Sequence, residues 1–244
     1  MGEFAVGQSV PREEDPRLLT GAGEFLDDVN LRDQAWGYVL RSPHAMADIL
    51  SIDTAAAERA PGVLRILTGA DWAAENYGGL PCEDATKKRP DGSPMYHPAW
   101  PALVDGRARL VGDCVAFVVA ETASQARDAA ELIDVGYAPL PAVSGVERAV
   151  APDAPFVWPD CADNVCFVEQ KGDAAAVDAA FAKADHVVRQ KVVNNRVTAV
   201  ALEPRGCIGD YDTRYDRYTL YTGLQNPHPL RYQIARQVFD IPET

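Results

Sequence analysis

Several features that mark common classes of protein are scarce or missing in this chain of 244 residues. The longest uninterrupted apolar run is Cys114–Ala120, whereas a membrane-spanning helix needs about 20 apolar residues. Lys and Arg number 23 against 36 Asp and Glu, and the resulting net charge of −13 repels phosphate backbones and anionic lipid. The first residues also lack a basic stretch followed by an apolar one. We therefore expect no membrane span, no nucleic-acid or membrane-surface partner and no secretory signal, which favours a cytoplasmic location.

Residues that commonly bind metals or form disulfides are also few. The four histidines show neither HxxxH nor HxH spacing, and none has a cysteine within four residues, so no metal ligand is predicted. The five cysteines contain no CxxC pair, which favours free thiols; a disulfide between Cys161 and Cys166 is the alternative. The GxSxG, GxxxxGK[ST] and GxGxxG motifs are missing as well, so no catalytic residue is assigned.

The composition, with 47% hydrophobic and 24% charged residues, is typical of one large or two modest globular domains. Helices are predicted at residues 55–59, 173–184 and 227–240 and after Thr122, where a capping box with Gln125 precedes an apolar face of Ala126, Ala129, Ala130 and Ile133. Strands are predicted at residues 37–41, 47–53, 63–67, 109–121, 133–137, 186–193, 206–212 and 217–222, the last two as a hairpin.

Three segments are predicted to be irregular. Residues 1–35 form a polar lead-in in which Pro11 and Pro16 exclude regular helix. Residues 73–106 are rich in glycine and proline, and a loop of this length is usually functional or interfacial. Residues 144–165 have the composition of a linker.

Two short stretches carry the candidate functional side chains. Glu203 and Arg205 flank a proline at the entry to a predicted strand, which allows either a site carboxylate or a structural ion pair or turn acid. Gln225 and Asn226 lie between a predicted strand and a predicted helix, where side-chain amides and backbone N–H groups can converge on an anionic or oxo ligand. Capping of the helix by Asn226 ahead of Pro227 is the structural alternative.

A series of short motifs runs through nearly the whole chain. They are GQSVPR (residues 7–12), EDPRLLTG (14–21), RSPHA (41–45), PGV (61–63), LTGAD (67–71), VGD (111–113), YAPLPAV (137–143), GD (172–173), ADHVV (184–188), LEPRG (202–206) and QNPH (225–228). In this order they resemble the molybdopterin-binding large subunit of the xanthine dehydrogenase and aldehyde oxidase family, especially its bacterial carbon-monoxide-dehydrogenase-like members. Cys114 departs from the family, which commonly has proline after the Gly-Asp pair.

The resemblance implies an α+β fold, in which an α/β hammerhead domain is followed by the beginning of a molybdopterin-binding α+β domain. The implied bounds are a lead-in at 1–19, the hammerhead domain at 20–145, a linker at 146–164 and the N-terminal part of the first molybdopterin-binding domain at 165–244. Gln225 matches the glutamine that in relatives lies against the oxo group of the molybdenum. Glu203, Arg205 and Asn226 are then expected to shape the pocket or an interface.

The resemblance also implies an oxidoreductase that hydroxylates an aldehyde or N-heterocycle with oxygen from water, or oxidises carbon monoxide. Its implied cofactor is molybdenum–molybdopterin, in the cytosine dinucleotide form. Its implied partners are the remainder of the large subunit or a second molybdopterin-binding chain, an FAD-binding subunit and an iron–sulfur subunit. The family's glycine-rich loop and late glutamate have no counterpart in these 244 residues, so we expect the chain alone to bind no cofactor. The alternatives are a non-catalytic docking or assembly module of hammerhead fold and a remnant without function.

Overall fold

The structure is a computed structural model that describes residues 11–82, 86–98, 100–161 and 163–243. The GQSVPR motif lies outside these residues except for its last two positions, Pro11 and Arg12. The chain forms two compact units. The smaller unit comprises Met1–Gln34 and Asn195–Gln225, and the larger unit comprises Ala35–Asn194 and Asn226–Thr244.

The described residues contain seven α-helices and eight strands. The helices are α1 (Asp15–Leu19), α2 (Ala55–Glu58), α3 (Gly69–Ala74), α4 (Ala123–Ala130), α5 (Val146–Ala149), α6 (Ala174–Ala182) and α7 (Pro227–Tyr232). The strands are β1 (Trp36–Arg41), β2 (Ala47–Asp53), β3 (Val63–Thr68), β4 (Arg107–Ala108), β5 (Cys114–Ala120), β6 (Asp134–Pro139), β7 (Cys207–Asp212) and β8 (Arg217–Thr222). A 3₁₀ turn spans Leu26–Asp28, and a π-helical segment, Gln233–Val238, follows α7.

Two antiparallel three-stranded sheets form the framework of the larger unit, with strand orders β1-β5-β3 and β4-β2-β6. Helix α4 packs on the first sheet, and Thr122 begins it by accepting a hydrogen bond from the Gln125 N–H at 3.3 Å. The predicted apolar face is confirmed, because Ala126, Ala129, Ala130 and Ile133 are buried in one core with Val118 and neighbouring strand residues. Alanines on this face allow the helix to approach the sheet closely, as a densely packed core requires.

The LTGAD motif begins helix α3, which the sequence prediction missed. The main-chain N–H and the hydroxyl of Thr68 donate to Asp71 Oδ2 at 2.8 and 2.7 Å, and Thr68 Oγ1 accepts from the Asp71 N–H at 3.5 Å. This reciprocal arrangement is a capping box. Gly69 is required because a Cβ there would overlap the Val104 carbonyl. The motif therefore has a structural role.

The RSPHA and VGD motifs meet in a second structural arrangement. The Ser42 N–H donates to the Asp113 carbonyl, and the Gly112 N–H donates to the Ser42 carbonyl, both at 2.8 Å. The buried Asp113 carboxylate accepts the N–H groups of Arg109 and Leu110 at 2.6 and 3.2 Å. These bonds hold residues 109–113 in a turn, so the strand predicted at 109–121 begins only at Cys114.

Three further predictions are corrected by the structure. Helix α1 forms in the lead-in despite Pro16, because proline in the first turn removes only an N–H that has no helical partner. The helix predicted at 227–240 is α-helical only to Tyr232 and then π-helical to Val238. Residues 186–193 form no strand, because no segment among the described residues pairs with them.

The smaller unit is organised around the β7–β8 hairpin, which confirms the prediction for 206–222. Its register pairs Tyr211 with Tyr218, and the two rings stack with centroids 4.6 Å apart. At the open end of the hairpin the Thr222 hydroxyl donates to the Gly206 carbonyl at 2.9 Å. The hydrogen bond fixes the end of β8 against the start of β7.

Candidate functional site

The candidate segment is residues 223–228, which connects β8 to α7. All six residues are exposed. The side chain of Gln225 makes no hydrogen bond within the described part of the chain, so its amide is available to an external acceptor. Gln225 is the last residue of the smaller unit.

Asn226 occupies the N-cap position of α7, and its carbonyl accepts the Leu230 N–H at 3.3 Å. Its side chain makes no capping hydrogen bond. Asn226 therefore stands at the N-cap position, but its side-chain amide does not cap the helix. Pro227 and Pro229 carry no N–H, which leaves the first turn of α7 with few backbone donors. The donor capacity of this segment therefore lies mainly in the two side-chain amides.

Glu203 is half-buried, and its carboxylate accepts a hydrogen bond from a turn far away in the sequence. Its Oε1 accepts the main-chain N–H of Leu26 at 2.8 Å. Its other carboxylate oxygen lies beside Gly223, since a Cβ built on Gly223 would stand 3.5 Å from Oε2. All three residues belong to the smaller unit. The sequence did not indicate Leu26 or Gly223, because Leu26 lies 177 positions from Glu203 and neither carries a reactive side chain.

Arg205 is exposed on the same short approach to β7. Among the described residues it forms no ion pair with Glu203, so the ion-pair alternative for this motif is wrong. The next residue, Gly206, is tied to β8 through its carbonyl. The structure brings Glu203 to the start of the candidate segment and leaves Arg205 facing solvent.

In the larger unit several polar groups form a clasp around Arg89. Its guanidinium donates to both carboxylate oxygens of Asp163 at 2.7 and 2.8 Å and to the Val165 carbonyl at 2.6 Å. Bonds from the Val165 N–H and from Arg89 hold the pKa of Asp163 below its usual value. The buried Cys161 thiol lies 3.3 Å from the same guanidinium. The clasp connects the glycine- and proline-rich excursion to residues 161–165 and has a structural role.

A second cation is held by aromatic packing. The Arg109 guanidinium lies 3.8 Å from the ring centroid of Trp158, a cation–π contact. Burial lowers the pKa of Arg109. Like the clasp, this contact attaches the predicted linker to the sheet region and involves none of the candidate site residues.

The described residues form neither a metal site nor a membrane-spanning helix. In the described ranges no group of three or more His, Cys, Asp or Glu side chains is arranged to hold a metal ion. Within the same ranges no helix has the length and apolarity needed to cross a bilayer. In the structure all five cysteines are free thiols, Cys161 and Cys166 among them.

Comparison with protein families gives two adjacent matches. Residues 20–141 match the family described as aldehyde oxidase and xanthine dehydrogenase, a/b hammerhead domain. Residues 157–244, which include the candidate segment, match the molybdopterin cofactor-binding domain. The predicted α+β class, with a hammerhead domain followed by the start of a molybdopterin-binding domain, is therefore confirmed.

Individual relatives agree with these matches. The chain is 36% identical over 229 residues to the nicotine 6-hydroxylase large subunit of Paenarthrobacter nicotinovorans, covering 91% of this chain and 26% of the relative. It is 33% identical over 244 residues to the carbon monoxide dehydrogenase large chain of Afipia carboxidovorans, covering 95% of this chain and 29% of that one. The crystal structure of quinoline 2-oxidoreductase from Pseudomonas putida 86 superposes with a TM-score of 0.84 at 36% identity, covering 98% and 29% of the two chains.

The chain thus spans between a quarter and a third of the length of these large subunits. One conclusion follows from the two domain matches and from the structural similarity to quinoline 2-oxidoreductase. The chain belongs to the aldehyde oxidase and xanthine dehydrogenase family, with homologues that are large subunits of molybdenum hydroxylases.

Proposed function

We propose that this chain is the N-terminal portion of a molybdenum hydroxylase large subunit. In the assembled enzyme it takes part in water-derived hydroxylation of an aldehyde or N-heterocycle, or in oxidation of carbon monoxide. The observation that carries the proposal is the uncommitted amide of Gln225, exposed within a molybdopterin cofactor-binding match. The names of two relatives, a nicotine hydroxylase and a quinoline oxidoreductase, favour an N-heterocycle among these substrates.

The donor chemistry of the candidate segment fits one side of a molybdenum–molybdopterin group, for which we propose the cytosine dinucleotide form. When bound, this group supplies the two-electron redox chemistry. Gln225 would donate an amide N–H to an oxygen that gains negative charge, and a neutral donor stabilises such charge without adding a proton to it. Asn226 is a second amide donor in the same segment. Arg205 is exposed and is assigned to an interface.

The chain supplies only a fraction of what holds the cofactor. Among the described residues the candidate donors are the side-chain amides of Gln225 and Asn226 on one exposed segment. We therefore propose that residues 1–244 alone bind no molybdenum cofactor. The proposed domain bounds are the hammerhead domain at 20–145, a linker at 146–164 and the start of the cofactor domain at 165–244, after a lead-in at 1–19.

Unpaired backbone supports the proposed partners. Residues 186–193 make no backbone–backbone hydrogen bond among the described residues, and Val188 and Val192 are 90% and 79% exposed. A segment with exposed apolar side chains and unpaired N–H groups can pair with another strand. Since the chain spans less than a third of its relatives, we propose that the remainder of the large subunit or a second molybdopterin-binding chain supplies this strand.

Two other subunits complete the proposed complex, one that binds FAD and one that carries iron–sulfur clusters. The support for a multi-subunit assembly is that relatives are named as large subunits or as a subunit gamma of a dehydrogenase complex. The five free thiols suit a reducing compartment, and we place the complex in the cytoplasm.

Substitution of Gln225 tests the proposed function in the assembled enzyme. The Gln225→Ala variant should lower turnover by about 10- to 1000-fold while the molybdenum content stays at the wild-type level, because one donor to a charged oxygen is lost. Gln170→Ala, which removes an exposed glutamine elsewhere in the chain, should leave turnover unchanged. Unchanged turnover of the fully loaded Gln225→Ala variant would contradict the assigned role.

The same unpaired segment favours one second candidate, a non-catalytic docking module of hammerhead fold. The two candidates differ in what accompanies the chain. A glycine-rich loop and a late glutamate encoded directly downstream would support the hydroxylase. If the isolated complex lacks molybdenum and neighbouring genes encode no flavin or iron–sulfur subunit, the docking module is correct.

A further inference from the structure

Two cysteines, Cys161 and Cys166, lie five positions apart beside the clasp around Arg89. The buried Cys161 thiol donates to the carbonyl oxygen of Val165 at 3.6 Å. Val165 directly precedes Cys166, whose Cα lies about 2.8 Å from that oxygen across a trans peptide. Cys161 Sγ is therefore within about 6.4 Å of the Cα of Cys166. The two sulfurs can meet through side-chain rotation and a small movement of the backbone.

The glycine- and proline-rich segment 73–106 holds both cysteines in place. The Arg89 guanidinium donates to Cys161 Sγ at 3.3 Å and to the Val165 carbonyl at 2.6 Å. One side chain thus contacts the sulfur of the first cysteine and the peptide group that precedes the second. The Tyr96 N–H donates to the Cys166 carbonyl at 3.1 Å. These bonds keep the two cysteines close to each other while both are reduced.

The two thiols differ in their access to small solutes. Cys161 is 3% exposed, whereas Cys166 is exposed to solvent. Packing around its sulfur raises the pKa of the Cys166 thiol, and the nearby Cys161 sulfur raises it further, in agreement with their proximity. A small oxidant therefore reaches Cys166 first. Cys161 then stands on the protein side of Cys166, next to a guanidinium that stabilises the negative charge of an attacking thiolate.

We propose that Cys161 and Cys166 form a reversible disulfide on exposure to hydrogen peroxide, and that it fixes the segment between them. The Cys166 sulfur attacks the peroxide, so that an S–O bond forms, the O–O bond breaks and water leaves with the thiol proton. The Cys161 sulfur then attacks the Cys166 sulfur. The S–S bond forms, the S–O bond breaks, and the hydroxyl group leaves as water with the proton of the Cys161 thiol. The two thiols lose two electrons, and one peroxide becomes two waters.

The disulfide does not depend on the proposed function of the chain. In a reducing compartment thiol exchange returns the pair to its free form, so the bond forms only while peroxide is present. The segment that it closes lies near the start of the match to the cofactor-binding domain, which begins at residue 157. Oxidation would thus stiffen the attachment of that domain to segment 73–106.

Mass spectrometry of the 244-residue chain tests the pairing. Trypsin cleaves after Lys and Arg, and neither occurs at positions 149–170, so both cysteines fall in the peptide of residues 149–171. Peroxide treatment at about pH 9 offsets the raised pKa of Cys166. After denaturation and iodoacetamide, the peptide should carry no alkyl group and be lighter by two hydrogen atoms than the reduced form. Dithiothreitol should restore two thiols that react with iodoacetamide.

Single substitutions separate the pair from general oxidation. Cys161→Ser removes the attacking sulfur, so the disulfide peptide should fall at least about tenfold while Cys166 proceeds to sulfinic acid. Cys166→Ser should leave Cys161 reduced, because the buried thiol then has no oxidised neighbour to attack. Cys207→Ser, a change of an exposed thiol in the smaller unit, is the control and should keep the wild-type yield. A cross-link from Cys166 to Cys82, or sulfinic acid at Cys166 of the wild-type chain beside a reduced Cys161, would overturn the proposal.

Hydrogen exchange tests whether the disulfide fixes the segment. The Asn164 N–H donates to the Cys161 carbonyl, and the Val165 N–H donates to Asp163 Oδ1, both at 3.0 Å. In the oxidised chain these two amides should exchange about tenfold more slowly, since a closed loop limits local opening. The hydrogen-bonded amide of Ala176 at the start of α6 is the internal reference and should not change. Equal exchange of Asn164 and Val165 in the oxidised and reduced chains would overturn the fixing role.

Discussion

Trp72 donates its indole N–H to the main-chain carbonyl of Gly78 at 3.0 Å, and the Gly78 N–H donates to the Val238 carbonyl at 2.8 Å. Gly78 therefore joins helix α3 to the π-helical segment within the larger unit. The rings of Trp72, Tyr77 and Phe239 pack around this point, with Tyr77 making edge contacts at 5.0 Å to both of the others. The last helical residues are attached to the hammerhead region through the backbone of Gly78 and through the packing of these rings.

Substitution of Gly78 should loosen this attachment. A Cβ on Gly78 would overlap the Gln237 carbonyl, so Gly78→Ala must displace the π-helical segment. We expect the free energy of unfolding of the larger unit to fall by about 1–3 kcal/mol, as for other overpacked sites. Urea unfolding followed by tryptophan fluorescence measures the change. Gly209→Ala is the matched control, because nothing lies within 4 Å of its Cβ; a loss of the same size there would contradict the explanation.

The capping box of α3 predicts a pH dependence. Hydrogen bonds from Thr68 lower the pKa of the Asp71 carboxyl in the folded chain. Because the folded pKa lies below the unfolded value of about 3.9, the stabilisation is complete above that pH and is lost as the pH falls through the folded pKa. Asp71→Asn should therefore be less stable than wild type at neutral pH, and the difference should shrink below about pH 4. Urea unfolding across this pH range measures it.

A carboxylate on a neighbouring helix provides the control for Asp71. Asp128 is exposed on α4 and makes no hydrogen bond or ion pair in the described part of the chain. Asp128→Asn should follow the wild-type stability curve throughout the acid range. A constant difference between Asp71→Asn and wild type from neutral to acid pH would show that the capping box does not depend on the charge of Asp71.

The Arg89 clasp predicts the reactivity of one thiol. Cys161 is buried beneath the guanidinium, and alkylation requires that the residues around it open. Arg89→Ala removes the paired bonds to Asp163 and should increase the alkylation rate of Cys161 by iodoacetamide about tenfold. In Arg89→Lys the alkylation rate of Cys161 should lie between those of wild type and Arg89→Ala, because an ammonium group cannot reproduce the bidentate geometry.

Mass spectrometry of the alkylated cysteine peptides measures this rate for each thiol separately. The exposed Cys207, which belongs to the smaller unit, serves as an internal reference. Arg127→Ala removes an arginine whose pair with Glu131 is long, at 3.9 Å, and exposed; it should leave Cys161 as slow as in wild type. Slow alkylation of Cys161 in the Arg89→Ala variant would show that other contacts bury the thiol.

Local patterns predicted helices α4 and α6 and the β7–β8 hairpin, whose stabilising contacts are local. Ala126, Ala129 and Ala130 recur at helical spacing, and Asp173 caps α6 by accepting the Ala176 N–H at 3.0 Å, so both helices were correctly predicted. Tyr211 and Tyr218 pair in a hairpin with a short connection, and the sequence predicted this hairpin as well. In each case the sequence separation between the partners is small.

Contacts between distant residues determine two features that the sequence did not predict, the π-helical segment and the hydrogen-bond partner of Glu203. The π-helical segment depends on bonds such as that from the Ile241 N–H to the Ala235 carbonyl and on packing around Phe239, which no helical period encodes. The hydrogen bond from Leu26 to Glu203 joins residues 177 positions apart. The sequence therefore identified Glu203 as a candidate and could not indicate what it contacts. The roles of Gln225, Arg205 and Asn226 stay predictions.

The unpaired residues 186–193 provide the last prediction, which concerns assembly. The Val188 N–H makes no hydrogen bond among the described residues, so Val188→Pro should change the free energy of unfolding of the 244-residue chain by no more than about 0.5 kcal/mol. Pairing with a strand of the remaining large subunit requires such N–H groups, and proline removes one. Size-exclusion chromatography of the expressed complex should show at least about a tenfold lower fraction of the variant in the assembled enzyme.

Val188→Thr, which keeps the N–H and the β-branched shape, should assemble as the wild type does, and Leu50→Lys controls for a change on another exposed strand residue. Normal assembly of Val188→Pro would mean that this segment reaches its partner through side chains alone.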